Sequence, residues 1–303
     1  MSSSPQDVPE SRYGLGVAMV LTAGSCLSIG GVLLRFMESA TGWQVMFYRS
    51  ITFALTVLVV VAWRYRGRTP EAFRAIGWSG VAVGVISGAG SIFYIFALLT
   101  TTVANTMFII SITPLCTALL AWVVLGEQPR RATWLAIAVA IAGIAVMFSQ
   151  GVSDSRLLGS LLAFAAAVAM AAMIVLIRRA KAVDMVPAQC LGGLIAATVA
   201  ALMVDTFVVP AGDLGRIVLL GVVQIGAGFM LFTMGARYVP AAQVSLLMLS
   251  EMVLAPMWVW LAVDEVPAMV TLIGGILIMT AVVSQAVAGL REERARVTAK
   301  AAP

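Results

Sequence analysis

The chain has 303 residues, 61% of them hydrophobic and only 11% charged, with a formal net charge of +5 and a mean hydropathy of +1.03. Soluble domains carry about 25% charged residues, so water is excluded as the main solvent and the exterior is expected to face lipid. The absence of histidine removes the commonest proton shuttle, metal ligand and triad base. Cys26, Cys116 and Cys190 each lie in an apolar stretch, without the spacing of a disulfide framework or metal site. No catalytic chemistry, metal or cofactor is therefore expected, and basic residues split into short clusters give no nucleic-acid footprint.

A helix of about twenty apolar residues crosses a hydrocarbon core of about 30 Å. Ten such runs follow one another: Tyr13 to Leu34, Trp43 to Trp63, Gly77 to Leu99, Thr102 to Leu125, Ala132 to Phe148, Leu157 to Ile177, Met185 to Val204, Leu214 to Ala236, Pro240 to Ala262 and Pro267 to Leu290. The alternating segments of about ten residues that mark a β-barrel are missing. The expected fold is an all-α membrane protein of ten transmembrane helices. The first run is too long for a signal-peptide core and has no small-residue cleavage site after it, so it is expected to persist as a helix. Residues 1–12 form an N-terminal tail, 13–149 and 157–290 two five-helix units, 150–156 a linker, and 291–303 a charged, then Ala-rich tail expected to fray.

Cytoplasmic loops are enriched in Lys and Arg. With the N-terminus inside, fifteen of the nineteen basic residues fall on the cytoplasmic side, leaving Arg35, Arg49, Arg156 and Arg216 outside. Both termini are predicted cytoplasmic, in a multi-pass protein of a bacterial inner membrane. Tryptophans at the run ends, Trp43 and Trp63 among them, fit an interfacial belt.

An offset of 138 residues aligns the third to fifth runs with the eighth to tenth. Gly88-Ala89-Gly90 falls on Gly226-Ala227-Gly228, Gly77 on Gly215, and Glu127 and Pro129 on Glu265 and Pro267. Five helices per unit is odd, so two units in one chain enter the membrane in opposite orientations, as in many secondary transporters.

The stretch from Thr113-Pro114 to Leu125-Gly126-Glu127, then Pro129 and a Gly143-containing helix, resembles the duplicated signature of the drug/metabolite transporter superfamily, EamA type. Its second copy runs from Glu251 to Asp264-Glu265-Val266-Pro267, and the resemblance extends from Tyr13 to Leu290. Two positions depart from the pattern: Met252 stands where the first copy has Pro114, with Pro256 a turn later, and Asp264 replaces Gly126. Kinks at Pro114 and Pro256 are therefore expected to differ by about a turn. The resemblance implies two inverted five-helix repeats around a central cavity and export of amino acids or related metabolites. Within the superfamily the chain is similar to the aromatic amino acid exporters.

Glu251 is the only acidic residue in the middle of a predicted helix, where insertion costs roughly 2.5 to 3.5 kcal/mol. It either meets a substrate ammonium or proton, or is bonded structurally to a neighbouring helix. Met248, Ala255 and Trp258 share its face. Thr113 is its repeat equivalent, in a stripe with Thr102, Thr106 and Thr117 beside Asn105; such hydroxyls commonly bond their own preceding turn. Tyr94, matched by Phe232, suggests an aromatic lining. Gln224, Ser25 and Ser28 lie near helix midpoints, where their polar groups need partners. Gly80, Gly84 and Gly88, with Ser87 and Ser91, and Gly221, Gly228 and Gly235 form small-residue faces read as helix packing. Arg49, just inside the second run, is read as snorkelling to the interface, with Glu38 as an alternative partner.

The leading expectation is an alternating-access carrier in which one repeat rocks against the other. Its expected partners are a small neutral substrate, most simply an aromatic or aliphatic amino acid, and the lipid bilayer. Proton coupling would rest on Glu251, whereas facilitated efflux needs no titrating residue; both stay open, as do monomer and homodimer. A channel would call for charge rings or a carbonyl filter, and an intramembrane enzyme for a Ser-Lys or paired-aspartate arrangement; none is found.

Overall fold

The computed structural model describes residues 10–129, 131–149, 154–180, 183–236, 238–239 and 241–301. The expected tail up to residue 9 and linker positions 150–153 lie outside the described residues. Ten helices are long and apolar enough to cross a membrane: α1 (Tyr13–Arg35), α2 (Gly42–Tyr65), α3 (Gly77–Thr100), α4 (Val103–Leu125), α5 (Arg131–Phe148), α6 (Arg156–Arg179), α7 (Val186–Met203), α8 (Ala211–Gly235), α9 (Leu246–Val263) and α10 (Met269–Val287). There is no strand among the described residues. An even number of crossings puts the start of α1 and the end of α10 on one side, the terminal face. The turns after α1, α3, α5, α7 and α9 lie on the far face.

The two repeats interlace. The closest packings are α3 with α6 and α7, α2 with α7 and α8, α5 with α10, α4 with α6, and α1 with α8 and α9. Each joins a helix of the first repeat to one of the second. Exchanging α1 with α6, α2 with α7, and so on through α5 with α10, maps this set onto itself. Thus α3 on α6 becomes α8 on α1, α4 on α6 becomes α9 on α1, and α5 on α10 is its own image. This is the contact pattern of inverted-topology repeats. It also corrects the expectation of one repeat rocking against the other, because neither repeat is a separate body. The packed units are α3, α4 and α6 on one side and α8, α9 and α1 on the other, each drawn from both repeats.

Small residues permit these close crossings. A Cβ on Gly88 would lie 2.8 Å from the Gly192 carbonyl, and one on Gly192 would lie 3.0 Å from that of Gly84, where α3 meets α7. Gly221 abuts Thr52 of α2, Gly228 abuts Leu27 of α1, and Gly235 meets Gly16 of α1 backbone to backbone. Gly143 and Gly274 do the same where α5 crosses α10. Gly80 differs from the sequence expectation: its nearest neighbour is Ile76, one turn earlier in its own segment, and not another helix.

Three spans are interrupted near mid-membrane. α1 breaks at Ile29, between segments Glu10–Ser28 and Gly30–Arg35. α4 breaks after Ile110 and restarts at Thr113, with Pro114 in the new first turn, where a missing N–H costs nothing. α8 widens into a π-helix over Leu220–Ala227. Pro256, by contrast, lies inside the unbroken helix Ala241–Val263. The two prolines therefore differ in kind, a helix start against an interior position, and not by a one-turn offset between kinks. The final helix runs on from Met269 to Ala301, where fraying was expected, since Ala, Arg and Glu are strong helix formers.

Candidate functional site

Polar side chains from α1, α2, α3, α8 and α9 converge near the centre of the bundle. Arg49 lies about two turns inside α2 and is 3% exposed. Its Nη1 donates to Ser91 Oγ at 2.8 Å, and its guanidinium carbon lies 5.9 Å from the centroid of the Tyr94 ring. Its Nε is buried without a hydrogen-bond partner. The snorkelling expected for Arg49 is thus corrected. The small Ser91 leaves room for the guanidinium to turn inward, and Glu38 pairs instead with Arg216 at 3.3 Å.

The Tyr94 hydroxyl accepts from Gln224 Nε2 at 3.5 Å, and that amide also donates to the Leu27 carbonyl at 3.2 Å. Gln224 Oε1 is buried and unpartnered. Gln224 is carried by the π-helical turn, a distortion frequent at functional sites. A side chain on Gly30, beside the break in α1, would collide with its amide. The backbone of Glu251 meets α1 at Gly24, and among the described residues neither a hydrogen bond nor an ion pair satisfies its carboxyl group. Trp258 Nε1 donates to Ser28 Oγ at 2.9 Å, and Ser28 donates to the Ser25 carbonyl at 2.8 Å. Tyr94 and Glu251 are half-buried, so this polar centre keeps some accessible surface.

Of the residues singled out in the sequence, Tyr94, Gln224, Glu251, Ser28 and Trp258 meet here. Others do not. Asn105 donates to Thr101 Oγ1 at 3.1 Å and to Ser160 Oγ at 2.7 Å, fastening α4 to α6. Thr113 and Ser25 bond carbonyls in their own preceding turns, at Ile110 and Leu21. Met248 and Phe232 pack with Val20 and Val244 in an apolar cluster nearer the terminal face.

Each face also carries an Arg–Glu station built from repeat-related glutamates. On the far face, Arg35 Nε meets Glu265 at 2.6 Å, while Nη1 and Nη2 donate to the Leu98 and Thr101 carbonyls at 2.7 and 3.0 Å. The other oxygen of Glu265 accepts from the Val103 N–H at 2.8 Å, capping α4. This station ties α1 and the α9–α10 turn to the α3–α4 turn, across the two packed units. On the terminal face, Arg178 Nη2 bonds both oxygens of Glu127 at 2.7 and 2.8 Å. Among the described residues it reaches no further. The side chains are 48% and 51% exposed, against 23% and 20% for Arg35 and Glu265. Beside it opens a cavity of about 320 Å³, lined by α4, α5, Arg178 and Gln285. Arg35 and Arg178 stand 143 positions apart, the offset between the starts of the two repeats at 14 and 157, and the glutamates are 138 apart. The stations are therefore repeat equivalents. Sequence reasoning paired the glutamates but not the arginines, because the offset drifts between the start and end of the repeat.

Ten spanning helices in two interlaced inverted repeats, with a polar centre and an Arg–Glu station on each face, define an inverted-repeat membrane protein. The sequence matches the EamA-like transporter family over residues 14–149 and 157–284. The chain belongs to that family, and it is a membrane transporter of small metabolites. A solved structure titled "Crystal structure of protein" shares its fold, with a TM-score of 0.63 at 20% identity, covering 89% of this chain and 96% of its own. Among curated proteins no match is found.

Proposed function

We propose that the protein is a secondary transporter that exports small neutral metabolites, foremost aromatic and hydrophobic amino acids, by alternating access. The observation that carries this reading is the inequality of the two stations. The far face is bolted across both packed units by three hydrogen bonds, held together by the Arg35–Glu265 ion pair. The terminal face has an exposed ion pair beside an open cavity. Repeat symmetry supplies the converse state: when the units tilt, Arg178 and Glu127 gain the cross-unit contacts that Arg35 and Glu265 give up. The excess of Lys and Arg on the terminal face supports a cytoplasmic assignment for it, so the weaker of the two stations is the cytoplasmic one.

The central groups suit an amphiphilic substrate. Tyr94 and Trp258 offer ring faces, and Gln224, Ser28 and Glu251 offer polar contacts. Phosphorylated metabolites would call for a cluster of cations, and the centre holds one arginine.

The test is counterflow of labelled aromatic and aliphatic amino acids in proteoliposomes, with and without a pH gradient, comparing the parent with Glu251→Gln. Saturable counterflow is the expected result. A carrier whose pH-gradient response disappears in Glu251→Gln couples through that residue. Movement of phosphorylated metabolites without amino acids would overturn the substrate assignment.

A further inference from the structure

Arg49 presents an unresolved charge. It is buried within a membrane span, and among the described residues no carboxylate lies within ion-pairing distance, its contacts being a serine hydroxyl and an aromatic ring. An isolated cation in such surroundings costs several kcal/mol, and intramembrane charges are retained where they meet a partner or a substrate. Ser91 satisfies one Nη1 contact and the Tyr94 ring covers one face of the guanidinium. The Nε edge is buried with an N–H that nothing accepts. Gln224, whose amide reaches the Tyr94 hydroxyl, holds a second buried polar atom without a partner, and among the described residues the Glu251 carboxyl group makes no ion pair. A guanidinium edge takes a carboxylate with a geometry that neutral donors do not match.

We infer that Arg49 is the carboxylate anchor of the cavity, and that the transporter selects molecules bearing a free carboxylate, whose oxygen accepts from Arg49 Nε above the Tyr94 ring. Tyr94 and Ser91 hold the guanidinium in place. An amino group on the same substrate then donates to Gln224 Oε1, the second buried atom without a partner. Molecules with the amine but no carboxylate leave Arg49 uncompensated and are rejected.

This rests on the carrier reading above, and the test separates the two. Counterflow against a preloaded amino acid is measured for that amino acid, its carboxamide and its decarboxylated amine, in the parent, Arg49→Gln and Arg49→Lys. The parent is expected to prefer the carboxylate by about a hundredfold, the scale of leaving a buried charge unpaired. Arg49→Gln is expected to lose that preference through a rise in KM for the acid, while the neutral amide moves as before or better. Arg49→Lys is expected to recover only part of the preference, since an ammonium lacks the planar edge. Equal transport of acid and amide by the parent overturns the anchor while leaving the carrier intact, as does an undiminished preference in Arg49→Gln. If no amino acid counterflows, the substrate reading fails, and the anchor is judged by thermal stabilisation of the parent with 2-oxo and 2-hydroxy carboxylates against their amides. Selective stabilisation by the acids that disappears in Arg49→Gln upholds the anchor, and its absence overturns it. Should Arg49→Gln not fold, Ser91→Ala serves in its place, expected to loosen the acid preference by a smaller factor.

Discussion

The two Arg–Glu stations are built from equivalent residues, yet they differ in what surrounds them. At Arg35–Glu265 the guanidinium binds a carboxylate and two backbone carbonyls, and the carboxylate in turn holds a backbone N–H. At Arg178–Glu127 the same two side chains hold only each other among the described residues, half in solvent. An exposed ion pair is worth about 0 to 1 kcal/mol, while each hydrogen bond to a charged group in a protected network is worth about 1.5 to 3. The same sequence element therefore makes a lock on one face and a weak clasp on the other, and which is which defines the conformation.

Breaking the lock is expected to have the largest effect. Arg35→Ala removes three donors and leaves Glu265 and two carbonyls short of partners, which shifts the equilibrium toward far-face opening by about 3 kcal/mol, roughly a hundredfold in population. Backbone amide exchange at Val103, whose N–H is held by Glu265, is expected to accelerate by a similar factor, and counterflow to fall. Arg178→Ala should leave exchange at Val103 nearly unchanged. Equal responses to the two substitutions would mean that the difference between the stations carries no energy.

Exchanging the partners sharpens the same comparison. Arg178→Glu with Glu127→Arg only reverses an exposed pair, and transport is expected to stay within about threefold of the parent, as the small worth of such pairs implies. Arg35→Glu with Glu265→Arg points a carboxylate at the carbonyls of Leu98 and Thr101 and a cation at the Val103 N–H. It is expected to transport no better than Arg35→Ala. Rescue by the far-face exchange would show that charge attraction alone, without the backbone contacts, makes the lock.

The spans and the repeat were readable because lipid imposes one rule, about twenty apolar residues per crossing, on every segment. The cavity was half readable. Glu251 and Gln224 stood out as polar groups in apolar runs, and Trp258 and Ser28 followed from helix spacing or depth. Arg49 did not stand out, because an arginine two turns from a span end has a cheap alternative in snorkelling. Only the neighbouring helix decides the matter, through Ser91, which sequence periodicity assigned to packing. The interlacing of the repeats was equally hidden: the internal repeat reports which segments are equivalent and says nothing of which ones touch. The threonine stripe of α4 follows the expectation for such hydroxyls: Thr106, Thr113 and Thr117 close on carbonyls about one turn back.

A smaller effect is expected where α5 crosses α10, the packing that is its own image under repeat exchange. A Cβ on Gly274 would press on the Gly143 carbonyl and on Met147, and one on Gly143 would stand 2.7 Å from the Gly274 carbonyl. Gly274→Val is expected to destabilise by about 1 to 3 kcal/mol, the usual cost of overpacking, seen as a lower melting temperature in detergent. Gly14→Val, where nothing lies within 4 Å, is the control and should melt near the parent.

The smallest expected effect returns to the two faces. Gly126 ends α4 at a φ of 72°, and its repeat equivalent Asp264 follows α9 at a φ of 51°. Both occupy the left-handed conformation that glycine adopts freely and an L-residue adopts at a cost. At Gly126 the helix closes as such caps usually do, with Gly126 N–H on the Trp122 carbonyl and Glu127 N–H on that of Ala121. Asp264 keeps the corresponding bond, to Trp260 at 3.1 Å, but carries a side chain there. Asp264→Gly is therefore expected to stabilise by about 0.5 to 1 kcal/mol, the balance of relieved strain against a more flexible unfolded chain, and Gly126→Asp to destabilise by a similar amount. Melting temperatures that move in opposite directions would show the cap strain to be local and equivalent on both faces. A loss of stability in Asp264→Gly would mean instead that the aspartate contributes to the far-face lock it adjoins, making the sequence departure at this position part of what distinguishes the bolted face from the open one.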